Sequence, residues 1–230
     1  MLKERIYVLE GVDGAGKTSN VDALAKKLDG APIVRVPPEG FDPDTRRRLA
    51  RDPRDSEGSF HYLMDALREA DREMRTILTH GQKSRIIADN GWVGTTVNVL
   101  AMQQVYGSSW SGHREEYMRR TALDLRAGLL SPSAYFFLRV DPEERKRRIA
   151  AKGAYASYFD HDERLQTAKE SLYRELFERE QKAGIPWFVV DTTRRPVQEV
   201  TYRILERITS MESAMLTLPS INFTEINRNL

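Results

Sequence analysis

A glycine-rich segment near the start of the chain ends in a lysine and a threonine. In "VLEGVDGAGKTSN", residues 8–20, the spacing is G-x-x-x-x-G-K-[ST]. Glycines let the backbone curl so that successive N–H groups point at anionic oxygens. Lysine supplies a mobile charge for β- and γ-phosphates, and a threonine hydroxyl is a natural Mg²⁺ ligand. The segment predicts a site for a nucleoside triphosphate and Mg²⁺, formed by Gly11, Gly14, Ala15, Gly16, Lys17, Thr18 and Ser19.

The elements around this segment are those that a phosphate-binding loop requires. "RIYVLEG" is a short apolar run typical of a buried strand, and residues 17–28 have helical apolar spacing that Gly30 ends. "APIVRV", residues 31–36, predicts a second strand. This strand–loop–helix–strand order favours a βαβ unit over a chance glycine turn.

The rest of the chain continues the alternation of strands and helices. Further strands are predicted at 85–89, 133–140 and 186–191, and helices at 60–80, 94–105, 114–128, 141–153, 163–183 and 196–208. The predicted fold is an α/β three-layer sandwich with a five-stranded parallel sheet flanked by helices. We expect one domain over residues 1–210 with a short lid at about 153–165, followed by a C-terminal tail, residues 211–230, without clear periodicity.

Composition restricts the class of protein. The chain has 230 residues, 36 Lys+Arg against 34 Asp+Glu and no cysteine, so disulfides and thiolate metal sites are excluded. The net charge of +2 is too balanced to indicate a nucleic-acid binder by itself. The charged start does not resemble a secretory signal, and no run of about 18 apolar residues predicts a membrane span. We therefore expect a cytoplasmic protein.

Other nucleoside-triphosphate-binding classes fit the sequence less well. No N-K-x-D guanine-reading motif is found, which argues against a GTP switch. "RIIAD" ends in the single carboxylate of Asp89, followed by Asn90, whereas remodelling ATPases usually carry a carboxylate pair there. A small kinase is favoured.

Beyond these features, residues 5–208 resemble the thymidylate kinases among the P-loop nucleoside and nucleotide kinases. "LEGVDGAGKT" is close to that family's first motif, and "RAGLLSPSAYFFLRVDPEERKRRI" is similar to its fourth strand and arginine-rich helix. "FHYLMDALREA" and "AD" at 88–89 occupy the places of the F-x-x-D-R and D-R-[YF] motifs. The resemblance implies a P-loop kinase fold and ATP-dependent phosphoryl transfer.

The resemblance also implies roles for individual residues. Asp13 corresponds to an aspartate near the acceptor's sugar hydroxyl and the metal waters, and Asp89 to one near the metal and the acceptor. With Lys17 these form the predicted catalytic set, and Thr18 and Asp89 the predicted metal set. Arg35 corresponds to an arginine that holds the acceptor. The alternatives are a turn residue for Asp13 and a helix cap for Asp89.

Two further roles concern the bases of the substrates. Arg147 or Arg148 corresponds to the arginine that packs on adenine, although both could be solvated charges. Tyr62, or its rival Phe60, corresponds to the aromatic residue that stacks on the acceptor base, although either could be core. Family members are often homodimers, so a homodimer through the helix at 60–78 is possible.

The acceptor half departs from the family pattern. Asn90-Gly91 replaces the arginine and aromatic residue of D-R-[YF], and Ala66 replaces the base-reading arginine of F-x-x-D-R. Asparagine cannot supply a bidentate positive fork for the acceptor phosphate. Acceptor contacts are expected instead from Asn90, Thr95 and Asn98, beside a pocket opened by the small residues Ala66, Gly91 and Gly94.

The cation that catalyses transfer is also not obvious. The loop has Gly14 where an arginine can stand, and the lid segment has no arginine before Arg164. Lys17 and Mg²⁺, with Lys152 or Arg164, are expected to stabilise the transferred phosphoryl group.

These observations favour transfer of the γ-phosphate of Mg-ATP to a pyrimidine deoxynucleoside monophosphate, dTMP-like or modified. One alternative is a nucleoside, or a 5-hydroxymethylpyrimidine within DNA as in viral DNA modification. The runs 46–48 and 119–120 could then contact a polynucleotide, or be solvated charges. A second alternative is a nucleotide-binding module without catalysis.

Overall fold

The computed structural model describes residues 5–51, 55–80, 85–107, 111–153 and 158–217. Its strands are β1 Arg5–Glu10, β2 Ile33–Arg35, β3 Arg85–Asp89, β4 Ala134–Arg139 and β5 Trp187–Asp191. Its helices are α1 Lys17–Lys27, α2 Pro43–Arg51, α3 Ser56–His80, α4 Trp92–Tyr106, α5 Ser111–Gly128, α6 Pro142–Ala151, α7 Tyr158–His161, α8 Glu163–Lys182 and α9 Val197–Thr217. The predicted five strands are confirmed.

The strands form one parallel sheet in the order β2-β3-β1-β4-β5. Every residue of β1 is buried, as expected of a central strand with helices on both faces. The chain runs from β1 to β2 in one direction across the sheet and from β2 through β3 and β4 to β5 in the other, so right-handed crossovers place α1 on one face and α3 and α4 on the other. Accordingly α1 packs on α9, while α4 packs on α3, α5 and α8. The predicted three-layer α/β fold is confirmed.

Register places the chemistry at one edge of the sheet. Leu9 of β1 pairs with Asp89 of β3, so the loop after β1 emerges beside the last residue of β3. The crevice outside the carboxyl ends of strands, where the strand order reverses, is the usual ligand site of an open α/β sheet.

A buried carboxylate occupies the space that the small residues were expected to open. Glu10 is 0% exposed, and its Oε1 accepts hydrogen bonds of 3.0 Å from the N–H groups of Gly91 and Gly94. A Cβ on Gly94 would lie 2.1 Å from Glu10 Oε2, and one on Gly91 would lie 2.9 Å from a Val8 methyl. The prediction of an opened pocket is therefore wrong, because these glycines admit Glu10 rather than a ligand.

The closing helix is longer than predicted. It was expected to end at Ile208, but α9 continues to Thr217, into the predicted tail; residues 218–230 lie outside the described part. Glu212 anchors the extension: its carboxylate accepts from Tyr7 Oη at 2.8 Å and pairs with Arg5 at 2.7 Å and Arg85 at 2.6 Å. This buried cluster ties the last helix to the start of β1 and β3.

The predicted lid is described only in part. Residues 154–157 lie outside the described ranges, and α7 falls within the predicted lid. Lid closure stays a prediction. No helix in the described ranges is long and apolar enough to cross a membrane.

Replacing Gly94 with alanine should destabilise the fold. The added methyl would collide with the fixed carboxylate of Glu10, and overpacking of this kind costs about 1–3 kcal/mol. Gly128→Ala is the matched control, because its Cβ would meet nothing within 4 Å at the end of α5. Urea unfolding midpoints measure both; equal midpoints for the two variants would contradict this packing.

Glu212→Gln should destabilise the protein in a pH-dependent way. Hydrogen bonding from Arg85, with Arg5 and Tyr7 adding to it, lowers the pKa of Glu212 from 4.5 to about 2. Its stabilising effect is therefore complete above pH 4.5 and is lost as the pH falls through about 2. Unfolding by urea should show a difference of about 3 kcal/mol at pH 7 that shrinks below pH 4.5.

Glu206→Gln, at an exposed position of the same helix, is the control for that measurement. A Glu212→Gln difference that stays constant from pH 7 to pH 3 would contradict the ion-pair assignment.

Candidate active site

The glycine-rich loop runs from the end of β1 to the first residue of α1. Gly16 has φ 88°, in the left-handed region that favours glycine, and α1 begins at the next residue. The N–H groups of the first helical turn have no partner within the helix and face outward from its positive end. Lys17 Nζ folds back over the loop and donates to the carbonyl oxygens of Gly11 at 2.7 Å and Val12 at 3.3 Å.

Thr18 and Asp89 meet beside this lysine. The Thr18 hydroxyl donates to Asp89 Oδ2 at 2.8 Å. Thr18 belongs to the first turn of α1 and Asp89 to the end of β3, so the contact follows from the β1–β3 register. The two residues predicted to serve a metal are thus adjacent.

The loop lies between two cavities. The first, of about 840 Å³, is lined mainly by residues of α6, of the segment after β5 and of the start of α9, among them Arg147, Arg148, Thr192 and Arg195. The second, of about 810 Å³, is lined by residues of the loop, the end of β2, α2 and the end of β3. Gly16, Ser19 and Arg148 line both cavities.

Both predicted adenine-contacting arginines lie in the first cavity, and both are tied to Glu144. Arg147 pairs with it at 2.7 Å and Arg148 at 2.8 Å. Hydrogen bonds from Arg147 and then Arg148 lower the pKa of Glu144 to about 2. Arg148 also donates to Thr192 Oγ1 at 3.1 Å, whereas the Arg147 side chain is 70% exposed and lies at the cavity surface. Packing on adenine stays a prediction.

The second cavity collects most of the residues predicted for catalysis and acceptor binding. Its lining includes Asp13, Gly14, Lys17, Thr18, Arg35, Asp89 and Asn90. Arg35 pairs with Asp22 at 2.8 Å. Arg46 and Lys152 also line it, which adds two cations. Gly11 and Ala15, which belong to the loop, are buried and line neither cavity.

Three predicted acceptor contacts, and the alternative to one of them, are not brought to either cavity. Tyr62 is buried, packs on Phe41 with 5.4 Å between ring centroids, and donates from its hydroxyl to the Phe41 carbonyl at 3.2 Å. Its rival Phe60 is also buried. Thr95 is enclosed within α4, and Asn98 is half-buried on the same helix. The structure gives these side chains packing environments.

The sequence analysis did not identify one charged side chain that lies at the loop. Lys169 of α8 donates to Asp13 Oδ2 at 2.6 Å, and Gln166 Nε2 lies 3.4 Å from the same oxygen. Burial alone would raise the pKa of Asp13, but Lys169 and Lys17 more than offset this and hold it well below its usual range. Helical periodicity was the signal that could have identified Lys169 and Gln166, because both residues lie on the buried face of α8 among leucines and aromatic residues.

The side chains at the site suit Mg²⁺ bound largely through phosphate and water. In the described part of the chain, no three His, Cys, Asp or Glu side chains are grouped so that they could hold a metal by themselves. Mg²⁺ usually keeps several waters and takes one or two protein oxygens together with substrate phosphates. The adjacent oxygens of Thr18 and Asp89 fit that requirement.

The comparisons with known proteins agree with this geometry. A family model described as "Thymidylate kinase" matches residues 9–204. A thymidylate kinase from Candida albicans has a TM-score of 0.73 at 17% identity, over 90% of this chain and 92% of that one. Deoxyadenosine kinase from M. mycoides gives 0.69 with bound dATP, at 18% identity, and 0.66 with bound dCTP, at 19% identity; each alignment covers 89% of this chain and 99% of the other. Comparison with curated proteins found no match.

The structural likeness establishes the shared fold, and the family match spans most of the sheet and its helices. The chain belongs to the thymidylate kinase family of P-loop kinases.

Proposed function

We propose that the protein transfers the γ-phosphoryl group of Mg-ATP to a pyrimidine deoxynucleoside monophosphate, dTMP or a modified form of it. The observation that carries this proposal is the position of the phosphate loop at the junction of two cavities. A donor nucleotide in one cavity and an acceptor in the other would meet over Lys17 and Thr18.

The donor is assigned to the first cavity. Its arginines offer planar cations that can stack on a base, and its shared wall leads to the loop and the positive end of α1. A bound Mg²⁺, held by Thr18 and through water by Asp89, would supply neutralisation of the β- and γ-phosphate oxygens.

The loop lysine has a defined part in transfer. Lys17 rests on two carbonyl oxygens of its own loop, and the more highly charged phosphate oxygens would draw its ammonium group from them. An oxygen of the acceptor phosphate attacks the γ-phosphorus, the bond to the β-phosphate oxygen breaks, and ADP and a diphosphate product leave. An acceptor phosphate is largely dianionic at pH 7 and needs no base to remove a proton, so Asp13 and Asp89 need only orient the acceptor's sugar.

Two cations in the second cavity can take over the role of the missing D-R-[YF] arginine. Arg35 and Arg46 both line the cavity. Arg35 pairs with Asp22, and Arg46 lies at the surface of α2. An acceptor with its own phosphate would gain charge-assisted hydrogen bonds from both. This supports a monophosphate over an uncharged acceptor.

A nucleoside acceptor is the second candidate. Asn90 stands where the family has the phosphate-gripping arginine and lines the second cavity, with φ 65° at the end of β3. One structural neighbour is a deoxyadenosine kinase. An acceptor hydroxyl, unlike a phosphate, would need a base to remove its proton.

A polynucleotide acceptor is less favoured. Arg48 pairs with Asp55 at 2.7 Å, Arg47 with Asp44, and Arg119 with Glu115 at 2.9 Å. Three of the five arginines in the two runs are thus paired with carboxylates, which reduces the positive charge that the runs offer to a phosphate backbone. Homodimer formation through α3 stays a prediction.

Lys17→Ala should remove turnover and leave the fold intact. The change deletes the cation nearest the transferred phosphoryl group, and we expect ADP release with dTMP to fall at least about 10³-fold. A coupled assay measures the rate, and circular dichroism confirms folding. Undiminished turnover would contradict the proposed donor site.

Arg46→Gln should raise the KM for the monophosphate about 10- to 100-fold with little change in kcat, because one charge-assisted hydrogen bond is worth about 1.5–3 kcal/mol. Arg47→Gln is the matched control, since Arg47 lies on the same helix, pairs with Asp44 and does not line the cavity. Steady-state kinetics measures both. Equal KM values for the two variants would remove the argument for a phosphate at Arg46.

A further inference from the structure

One face of α8 packs against the glycine-rich loop. Gln166, Lys169 and Tyr173 lie at positions i, i+3 and i+7 of this helix and therefore on one side of it. The first two contact the Asp13 carboxylate, and the Tyr173 hydroxyl donates to the Gly11 carbonyl at 3.1 Å. A helix that begins directly after α7 thus supports the loop from behind.

The two partners of the central ion pair are placed differently. The Lys169 side chain is 7% exposed, whereas the Asp13 side chain is 33% exposed and lines the second cavity. Lys169 does not line that cavity, so it can influence a substrate there only through Asp13.

Stability alone does not account for a buried lysine at this point. Removing two charges from water is costly, and a buried ion pair seldom stabilises a fold more than well-packed apolar residues would. Neighbouring positions on the same face of α8 are Leu165, Leu172 and Leu176, which shows what the core otherwise uses. The charge of Lys169 is explained by the charge of Asp13.

We propose that Lys169 is a positioning residue for phosphoryl transfer, holding the Asp13 carboxylate ionised and aimed into the second cavity. This inference rests on the proposed function. In this arrangement α8 supplies a positive charge behind the loop of a chain that has Gly14, rather than arginine, in the loop itself.

The charges around Asp13 support this role. Lys169 of α8 and Lys17 of α1 both lower its pKa against the effect of burial. Other ionisable groups also face this part of the loop: Tyr173 of α8, Glu10 of β1, Asp89 at the end of β3, and Arg148 of α6, which donates to the Gly14 carbonyl at 3.3 Å. When glutamine replaces Lys169, burial still raises the pKa of Asp13, and Lys17 is the one remaining lysine that lowers it.

The test compares wild-type protein with Lys169→Gln, Lys169→Arg, Asp13→Asn and the double variant Asp13→Asn/Lys169→Gln. Lys146→Gln, an exposed lysine of α6, is the control for loss of a charge. The double variant leaves no unpaired buried charge, so it tests the inference even if Lys169→Gln folds poorly.

We expect Lys169→Gln to lower kcat about 10- to 100-fold, the usual effect of removing a group that orients a ligating side chain. Lys169→Arg should restore part of the rate, and the double variant should be no slower than Asp13→Asn. Losses that add in the double variant would overturn the inference.

A readout independent of turnover separates this inference from the proposed function. The ¹³C NMR signal of the Asp13 carboxyl carbon reports its ionisation, and its titration midpoint should rise in Lys169→Gln and not in Lys146→Gln. An unchanged midpoint overturns the positioning role whether or not the protein phosphorylates a monophosphate. Absence of turnover with a raised midpoint would instead count against the proposed acceptor.

Discussion

The parallel pairing of β1 with β3 is the constraint on which the whole site depends, and the hydrogen bond between Thr18 and Asp89 follows from it. It forms because β1 and β3 are parallel neighbours, so the loop that leaves one strand passes the last residue of the other. The connections that leave the neighbouring strands β1 and β3 run in opposite directions across the sheet, which opens a crevice at the same edge, and the two cavities meet there. The positions of donor, metal and acceptor in our account all follow from that register.

Two carboxyl groups at this edge of the sheet have pKa values shifted in opposite directions. Glu10 accepts hydrogen bonds from the backbone N–H groups of Gly91 and Gly94, and burial raises its pKa to about 7. Asp13, three residues later, faces two lysines that keep its pKa low. Burial thus makes Glu10 part of the packing against α4, while pairing keeps Asp13 charged at the wall of a cavity.

The sequence alone was sufficient to predict those features whose signal lies within a short segment of the chain. Strand periodicity and the spacing of Gly11, Gly16, Lys17 and Thr18 are properties of short segments, and the fold and the phosphate loop were predicted from them. Asp89 was found because a carboxylate at the end of a buried strand is also a local pattern. The acceptor side depends on which helix face meets which loop, and there the predictions were less complete.

Three particular differences show the reason. Gly94 suggested open space, but the carboxylate that fills it belongs to a residue 84 positions earlier in the chain. Lys169 contacts a residue 156 positions away, and no local pattern names its partner. Similarly, α9 extends beyond Ile208 because Glu212 pairs with arginines at the starts of β1 and β3. Long-range contacts decided each case.

Transfer of labelled phosphate from [γ-³²P]ATP to alternative acceptors tests the central claim most directly. The acceptors would be dTMP, 5-hydroxymethyl-dUMP, thymidine and an oligonucleotide containing 5-hydroxymethyluracil, each offered with Mg²⁺. The account predicts label in a nucleoside diphosphate. Label only in a nucleoside monophosphate, only in the oligonucleotide, or only in free phosphate would contradict it.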